Sequence, residues 1–236
     1  MPPRLFLHGP LRAGAIALPA AAARHVQVLR LRPGAELTLF DGSGGEWRAR
    51  LLGAGQVELL DHATVERETA QRVTLALGMP ANERMDWLVE KATELGVAAV
   101  QPLTTRRSVL RLSGERAARR VAHWQGIAVA ACEQCGRNRV PDIAAVLDLA
   151  TWLAQLGEST SGAAPQRRLL LSPGADAPAP PLARDESALV LSGPEGGLSD
   201  DEEALARAAG FVATTLGPRV LRADTAPLAA LLRLTA

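Results

Sequence analysis

Leu189-Val190-Leu191-Ser192-Gly193-Pro194-Glu195-Gly196-Gly197 is an apolar run that breaks into a loop of glycine and proline. Leu216-Gly217-Pro218-Arg219-Val220-Leu221-Arg222-Ala223-Asp224-Thr225 repeats that arrangement further along the chain. Each reads as a buried strand, then a loop, then a helix start. Two such loops at the carboxyl ends of neighbouring parallel strands form a pocket where backbone can approach a flat ligand. The second loop also carries Arg219, Arg222 and Asp224, side chains able to do chemistry. An active site in an α/β fold with a parallel sheet is the expectation.

The chain around these loops supports that class. Val73 to Met79 reads as a strand. Asn82 stands as the cap of a helix that turns Met85, Leu88, Val89, Ala92 and Leu95 to one face and stops at Gly96. Ala98 to Leu103 is the next strand. A long helix is expected from Gly114 to Cys135, with Val121, Trp124, Ile127, Ala128 and Ala131 inward and Gly136 as its stop. Another helix is expected over Ala144 to Leu156 and a flexible linker over Gly157 to Gln166. Strands follow at Leu169 to Leu171, Ala188 to Leu191 and Phe211 to Leu216. Ser199-Asp200-Asp201-Glu202 has the form of a capping box, and the last helix starts at Thr225. Strands alternating with helices mean a parallel sheet covered by helices.

Residues 1–68 have a different rhythm. Arg4 to Leu7, Glu36 to Phe40, Glu46 to Leu51 and Gln56 to Leu60 read as short strands, with a short helix or turn over Ala20 to Leu31. Asp41-Gly42-Ser43-Gly44-Gly45 is a hairpin turn. This spacing predicts a small β-barrel, with a polar boundary at Glu66 to Gln71.

Other motifs exclude more than they assign. The chain has no G-x-G-x-x-G after a strand and no P-loop. Cys132-Glu133-Gln134-Cys135 matches C-x-x-C, but at a helix C-terminus, where the dipole disfavours a thiolate. No second ligand pair accompanies it, and His8, His25, His62 and His123 are dispersed, so no metal is expected. The net charge of +1 carries no global nucleic-acid signature. Residues 106–139 nevertheless hold eight arginines against two glutamates, the composition of a phosphate-binding face or of a solvated helix face. Two cysteines, no signal core and no membrane-length apolar run lead to the expectation of a soluble cytoplasmic protein.

The quoted loops resemble the signature of the bacterial 16S ribosomal RNA uridine-N3 methyltransferases of the SPOUT superfamily. Ala23 to Arg30 with Phe40 to Gly45 is similar to that family's N-terminal barrel, Trp87 to Gly96 to its first catalytic-domain helix, and Ala130 to Pro141 to its central motif. Ala223 and Asp224 stand where the family usually has Thr and Glu, and Pro227 where Ala is common.

The resemblance implies a PUA-like β-barrel RNA-binding domain over residues 1–70. It implies a SPOUT methyltransferase domain over residues 71–236, with a C-terminal trefoil knot. S-adenosylmethionine is the implied cofactor, held by Leu171, Leu191, Gly193, Glu195, Gly196, Gly197, Leu216, Gly217, Val220, Leu221 and Thr225. The implied reaction methylates N3 of the uridine at position 1498 of 16S ribosomal RNA. Arg222 and Arg219 would stabilise charge on the base, and Glu195, Asp224 or water would accept its proton. The implied RNA contacts are Arg4, Arg24, His25, Arg30, Arg32, Arg106, Arg107, Arg111, Arg137 and Arg139. A homodimer acting on 16S ribosomal RNA or the small ribosomal subunit is implied, with no membrane and no metal. Two alternatives stay open: a SPOUT enzyme acting on another RNA atom such as a ribose 2′-hydroxyl, and a non-catalytic RNA-binding assembly factor.

Overall fold

The computed structural model describes residues 2–53, 55–81, 83–158 and 166–236; the expected cap Asn82 and most of the expected linker lie outside them. The chain forms two compact units. The first takes Met1–Glu68 together with Val129–Val140; the second takes Thr69–Ala128 with Pro141–Ala236.

The first unit contains β1 (Arg4–Phe6), β2 (Gly14–Ala17), α1 (Ala20–Val28), β3 (Glu36–Phe40), β4 (Glu46–Gly53) and β5 (Gln56–Ala63). Its sheet runs β1-β3-β4-β5-β2, with β1 parallel to β3 and the other pairs antiparallel. Alternate residues of these strands, among them Leu37, Leu39, Ala49, Leu51, Val57 and Leu59, point into one aliphatic core. β2 had no sequence signal. Gly14-Ala15-Ile16-Ala17 has weak strand propensity and is a strand because it pairs with β5. At the hairpin, Asp41 Oδ1 accepts from Ser43 N at 3.0 Å and Ser43 Oγ at 2.6 Å, a turn closed by its own side chains.

A polar network ties Val129–Val140 into this unit. Arg4 is 7% exposed; its Nη1 donates to Glu46 Oε2 at 2.6 Å. Its Nη2 donates to Arg137 O at 3.2 Å and Asn138 Oδ1 at 2.6 Å. Arg67 donates to the same Glu46 oxygen and to Gly136 O, each at 2.9 Å. Asn138 Nδ2 donates to Val65 O at 2.7 Å. Most buried polar atoms here have partners; Arg4 Nε has none. Burial by itself raises the Glu46 carboxyl. Hydrogen bonds from Arg67 and Arg4, with their charges, outweigh it and hold the group at about 2, below the ordinary 4.5.

The second unit contains β6 (Arg72–Gly78), α2 (Arg84–Glu94), β7 (Ala99–Thr104), α3 (Gly114–Cys135), β8 (Asp142–Ile143), β9 (Leu147–Asp148) and α4 (Leu149–Glu158). It continues with β10 (Gln166–Leu171), β11 (Ser187–Ser192), α5 (Asp200–Ala208), β12 (Val212–Thr214) and α6 (Thr225–Thr235). α3 lies in this unit through Ala128 and in the first from Val129. The sheet runs β12-β10-β11-β6-β7-β8, with β9 also on β7, and every pair is parallel. Five consecutive residues of β11, Ala188 to Ser192, are buried, as a strand covered on both faces requires. Leu170, Leu189 and Leu191 pack with Trp152 and Leu153 of α4, Ala206 of α5 and Phe211.

Several helix signals act as expected. Met85, Leu88, Val89 and Ala92 are buried on α2, and Ser199 forms a capping box with Glu202. The helix expected from Ala144 starts instead at Leu149. Asp148 Oδ1 accepts from Ala150 N at 2.9 Å and Thr151 N at 3.4 Å, a side-chain cap that marks the start. The residues before it extend along β7 as β8 and β9, two pairings that apolar periodicity could not reveal.

The depressed Glu46 carboxyl makes the first unit acid-sensitive. Its contribution is complete above the unfolded value of 4.5 and is lost as pH falls through about 2. Glu46→Gln should remove on the order of 2–3 kcal/mol at neutral pH. Thermal midpoints recorded from neutral pH to pH 2 check this: the wild type should lose its advantage over the variant across that acid limb.

Candidate active site

β10, β11 and β12 lie side by side and end at Leu171, Ser192 and Thr214. The chain order reverses at β10, with β11 on one side and β12 on the other, so the loops leaving these strands open a crevice at the carboxyl edge. A cavity of about 580 Å³ fills that crevice.

Most residues expected at the cofactor meet there. Leu171, Gly193, Gly196, Gly197, Leu216, Val220 and Leu221 line the cavity. Leu191 does not; it is fully buried in the core below. Gly217 and Thr225 also stand outside the lining. Thr215 Oγ1 bonds Gly217 O at 3.1 Å and accepts from Gly217 N at 3.2 Å, so Gly217 serves the turn of the loop. Ser172, Pro173, Ser192 and Ala226 also line the wall, at strand ends, a turn and a helix start recognisable only once the sheet is assembled.

Gly193 is required by close packing. A Cβ there would lie 2.8 Å from both Gly197 C and Leu198 N. The loop closes on itself through Gly197 N to Pro194 O at 2.8 Å. Gly78, at the end of β6, faces the same loop; its Cβ would lie 2.6 Å from Pro194 Cδ.

Of the expected catalytic residues, Arg219, Arg222 and Glu195 line the cavity and Asp224 does not. Arg219 and Arg222 are exposed, and no carboxylate among the described residues pairs with either. Arg222 is thus not bound to Asp224, whose Oδ1 instead accepts from Thr225 Oγ1 at 3.3 Å. Glu195 Oε1 accepts from Ala81 N and from Arg84 Nη1, each at 3.1 Å. Arg84 joins the wall from α2, a residue that sequence reasoning missed.

The expected RNA arginines divide into groups. Arg24, Arg30 and Arg32 are exposed on the first unit, beside Val28 at 73% exposure. His25 is also exposed, 3.9 Å from Glu133. Arg4 and Arg137 are not surface cations: Arg137 is 4% exposed and paired with Glu68, and Arg4 is held by Glu46. Arg139 is half-exposed and pairs with Glu66 at 3.1 Å. Arg106 approaches Asp201 at 3.3 Å, and Arg111 donates to Arg106 O at 3.2 Å. Arg107 donates to two carbonyls of the 193–198 loop. Part of the linear basic band is therefore paired in place, while Arg111 and Arg116 stay exposed without an acidic partner among the described residues. Burial pushes the Cys132 thiol up to about 12, which keeps that thiol protonated.

No group of three His, Cys, Asp or Glu residues among those described is placed to hold a metal, and no helix of theirs is long and apolar enough to cross a membrane.

Residues 67–235 match the model of an RNA methyltransferase domain and residues 18–60 that of an RNA methyltransferase PUA domain. Over 224 residues the chain is 35% identical to the ribosomal RNA small subunit methyltransferase E of Synechocystis sp., covering 94% of this chain and 73% of that protein. It is 30% identical over 221 residues to the Bacillus subtilis protein of the same name, covering 87% and 83%. The crystal structure of the Neisseria gonorrhoeae ribosomal RNA small subunit methyltransferase E, bound to S-adenosylmethionine, superposes with a TM-score of 0.87 at 36% identity, covering 98% of this chain and 95% of that one.

The burial of Arg137 separates structure from surface charge. Arg137→Ala leaves Glu68 without its partner and should cost about 3 kcal/mol or more of stability. Arg139→Ala breaks a half-exposed pair and should cost under about 1 kcal/mol. Chemical denaturation of both variants measures the difference.

Proposed function

The chain belongs to the family of the ribosomal RNA small subunit methyltransferase E proteins, and on that premise we propose that it methylates N3 of one uridine in 16S ribosomal RNA, at position 1498, with S-adenosylmethionine as methyl donor. The carrying observation is the cavity at the switch point, walled by two glycine-rich loops and open to two unpaired arginines.

The residues present suit this cofactor. Glycine at 193, 196 and 197 leaves backbone groups able to read an adenine edge, and Leu171, Leu216, Val220 and Leu221 provide apolar contact for its faces. When bound, S-adenosylmethionine supplies a methyl group activated on a sulfonium. The chain must orient the uridine and manage its charge. N3 loses its proton before its lone pair can attack, and negative charge spreads to O2 and O4. Arg222 is exposed at the cavity without a carboxylate, so its planar guanidinium is available to donate to a carbonyl oxygen of the base. Arg219 adds a second positive charge on the same loop. Of the two candidate bases, Glu195 lines the cavity and Asp224 does not. Glu195 Oε1 is occupied by Ala81 N and Arg84, which orient the carboxylate and leave Oε2 to accept the N3 proton.

For RNA binding, Arg24, Arg30 and Arg32 are the favoured phosphate contacts, because they are exposed and lack acidic partners among the described residues. We read the functional form as a homodimer. Val220 at 80%, Leu232 at 52% and Trp87 at 45% exposure leave apolar surface for a second copy, and light scattering would refute this by finding an active monomer. We also read the loops after β10, β11 and β12 as a trefoil knot in a protein acting in the cytoplasm. An experimental chain trace without threading would exclude the knot.

Mass-spectrometric mapping of 16S ribosomal RNA treated with the protein and S-adenosylmethionine tests the reaction. A methyl group on N3 of that uridine is expected; one on a ribose 2′-oxygen, or none, refutes it. Arg222→Ala should slow single-turnover methylation by about 10²–10³-fold, with little change in cofactor affinity. Arg222→Lys should recover part of the rate. Replacing Arg30 and Arg32 together by Ala should weaken RNA binding and reduce the slope of log affinity against log salt by about 1–2, with cofactor binding unchanged.

A further inference from the structure

Arg107 sits in the basic band whose composition suits a phosphate-binding face or a solvated helix face, yet its guanidinium is turned into the Gly193–Leu198 loop. Nη1 donates to Gly196 O at 2.8 Å and to Leu198 O at 3.0 Å. Those two carbonyls bracket Gly197, a residue in the left-handed region with φ of 69°. We propose that Arg107 is a positioning residue that holds the Gly193–Leu198 loop in its cofactor-binding shape, and that it acts on cofactor affinity instead of on RNA. The inference rests on the proposal that this loop holds S-adenosylmethionine.

A loop with three glycines has little side-chain packing of its own, and glycine carries the largest entropic cost of ordering. The loop's own backbone bond from Gly197 to Pro194 leaves its far side to be held from outside. Arg107 supplies that hold with a charged donor, which makes stronger hydrogen bonds to carbonyls than a neutral one.

The base of Arg107 is itself anchored. Thr105 and Ser108 are buried, with Thr105 N donating to Ser108 Oγ at 3.0 Å and the two hydroxyls 2.9 Å apart. Between them, Arg106 N donates to Glu202 Oε1 at 2.7 Å. The other oxygen of Glu202 accepts from Ser199 N at 2.8 Å and Ser199 Oγ at 3.0 Å. One carboxylate thus caps α5 and ties the 105–108 turn to the residue that follows the loop. Arg107 and Glu202 hold the loop from outside and at its exit. Gly196 is also explained: a Cβ there would lie 3.2 Å from Arg107 Cβ, tight against the arginine stem.

Calorimetric titration of the full-length protein with S-adenosylmethionine tests this, alongside methylation kinetics and RNA binding over a salt series. Arg107→Ala should raise the cofactor Kd about tenfold, the scale of losing one charge-assisted contact, and raise the cofactor KM in parallel. At saturating cofactor, kcat and the RNA salt slope should stay near wild type. Arg107→Lys keeps the stem and a charged donor and should restore part of the affinity. Arg119→Ala, on an exposed stretch of the same basic band, should leave cofactor binding intact. Wild-type cofactor affinity in both Arg107 variants overturns this inference alone, as does a flattened RNA salt dependence at normal cofactor affinity. Failure of the wild type to bind S-adenosylmethionine overturns the cofactor reading and this inference with it.

Discussion

The closeness of backbone to backbone at the carboxyl edge of β11 constrains everything near the cavity. A Cβ at Gly193 would stand 2.8 Å from the main chain of Gly197 and Leu198, and one at Gly78 would stand 2.6 Å from Pro194. The loop can fold back this tightly only without side chains at those points. Because it folds back, it leaves a crevice beside β10 and does not fill it. The shape of the Gly193–Leu198 loop follows from that single packing condition.

The two units solve different physical problems. The second buries a parallel sheet between helices, with an aliphatic core around Leu170, Leu189 and Leu191. The first is small, and much of its definition comes from charged groups taken out of water. Buried Arg4 and half-exposed Arg67 both pair with Glu46, and buried Arg137 pairs with Glu68. Such networks are costly when broken and depend on pH, whereas an aliphatic core is indifferent to it.

Charge counted along the chain misleads about charge presented to solvent. Residues 106–139 are basic in sequence. In three dimensions Arg106 faces Asp201, Arg137 faces Glu68, Arg139 faces Glu66, and Arg107 faces backbone carbonyls. Exposed cations without an acidic partner among the described residues include Arg24, Arg30 and Arg32 on the first unit and Arg219 and Arg222 at the cavity, along with Arg12, Arg50, Arg116 and Arg184.

Local rules were sufficient wherever the cause is local. The period of apolar residues located α2 and α3, Ser199 with Glu202 announced a capped helix, and the glycine loops announced the pocket. Where long-range pairing decides, the linear chain was silent. β2 exists because β5 is beside it, and α4 begins at Leu149 because the preceding residues extend along β7. Val129–Val140 joins the first unit because Arg4 and Arg67 reach its carbonyls. Partners far apart in sequence likewise separated the buried arginines from the exposed ones and gave Arg107 its place against the loop. Burial and hydrogen bonding are properties of neighbours in space, and only the assembled tertiary structure chooses those neighbours.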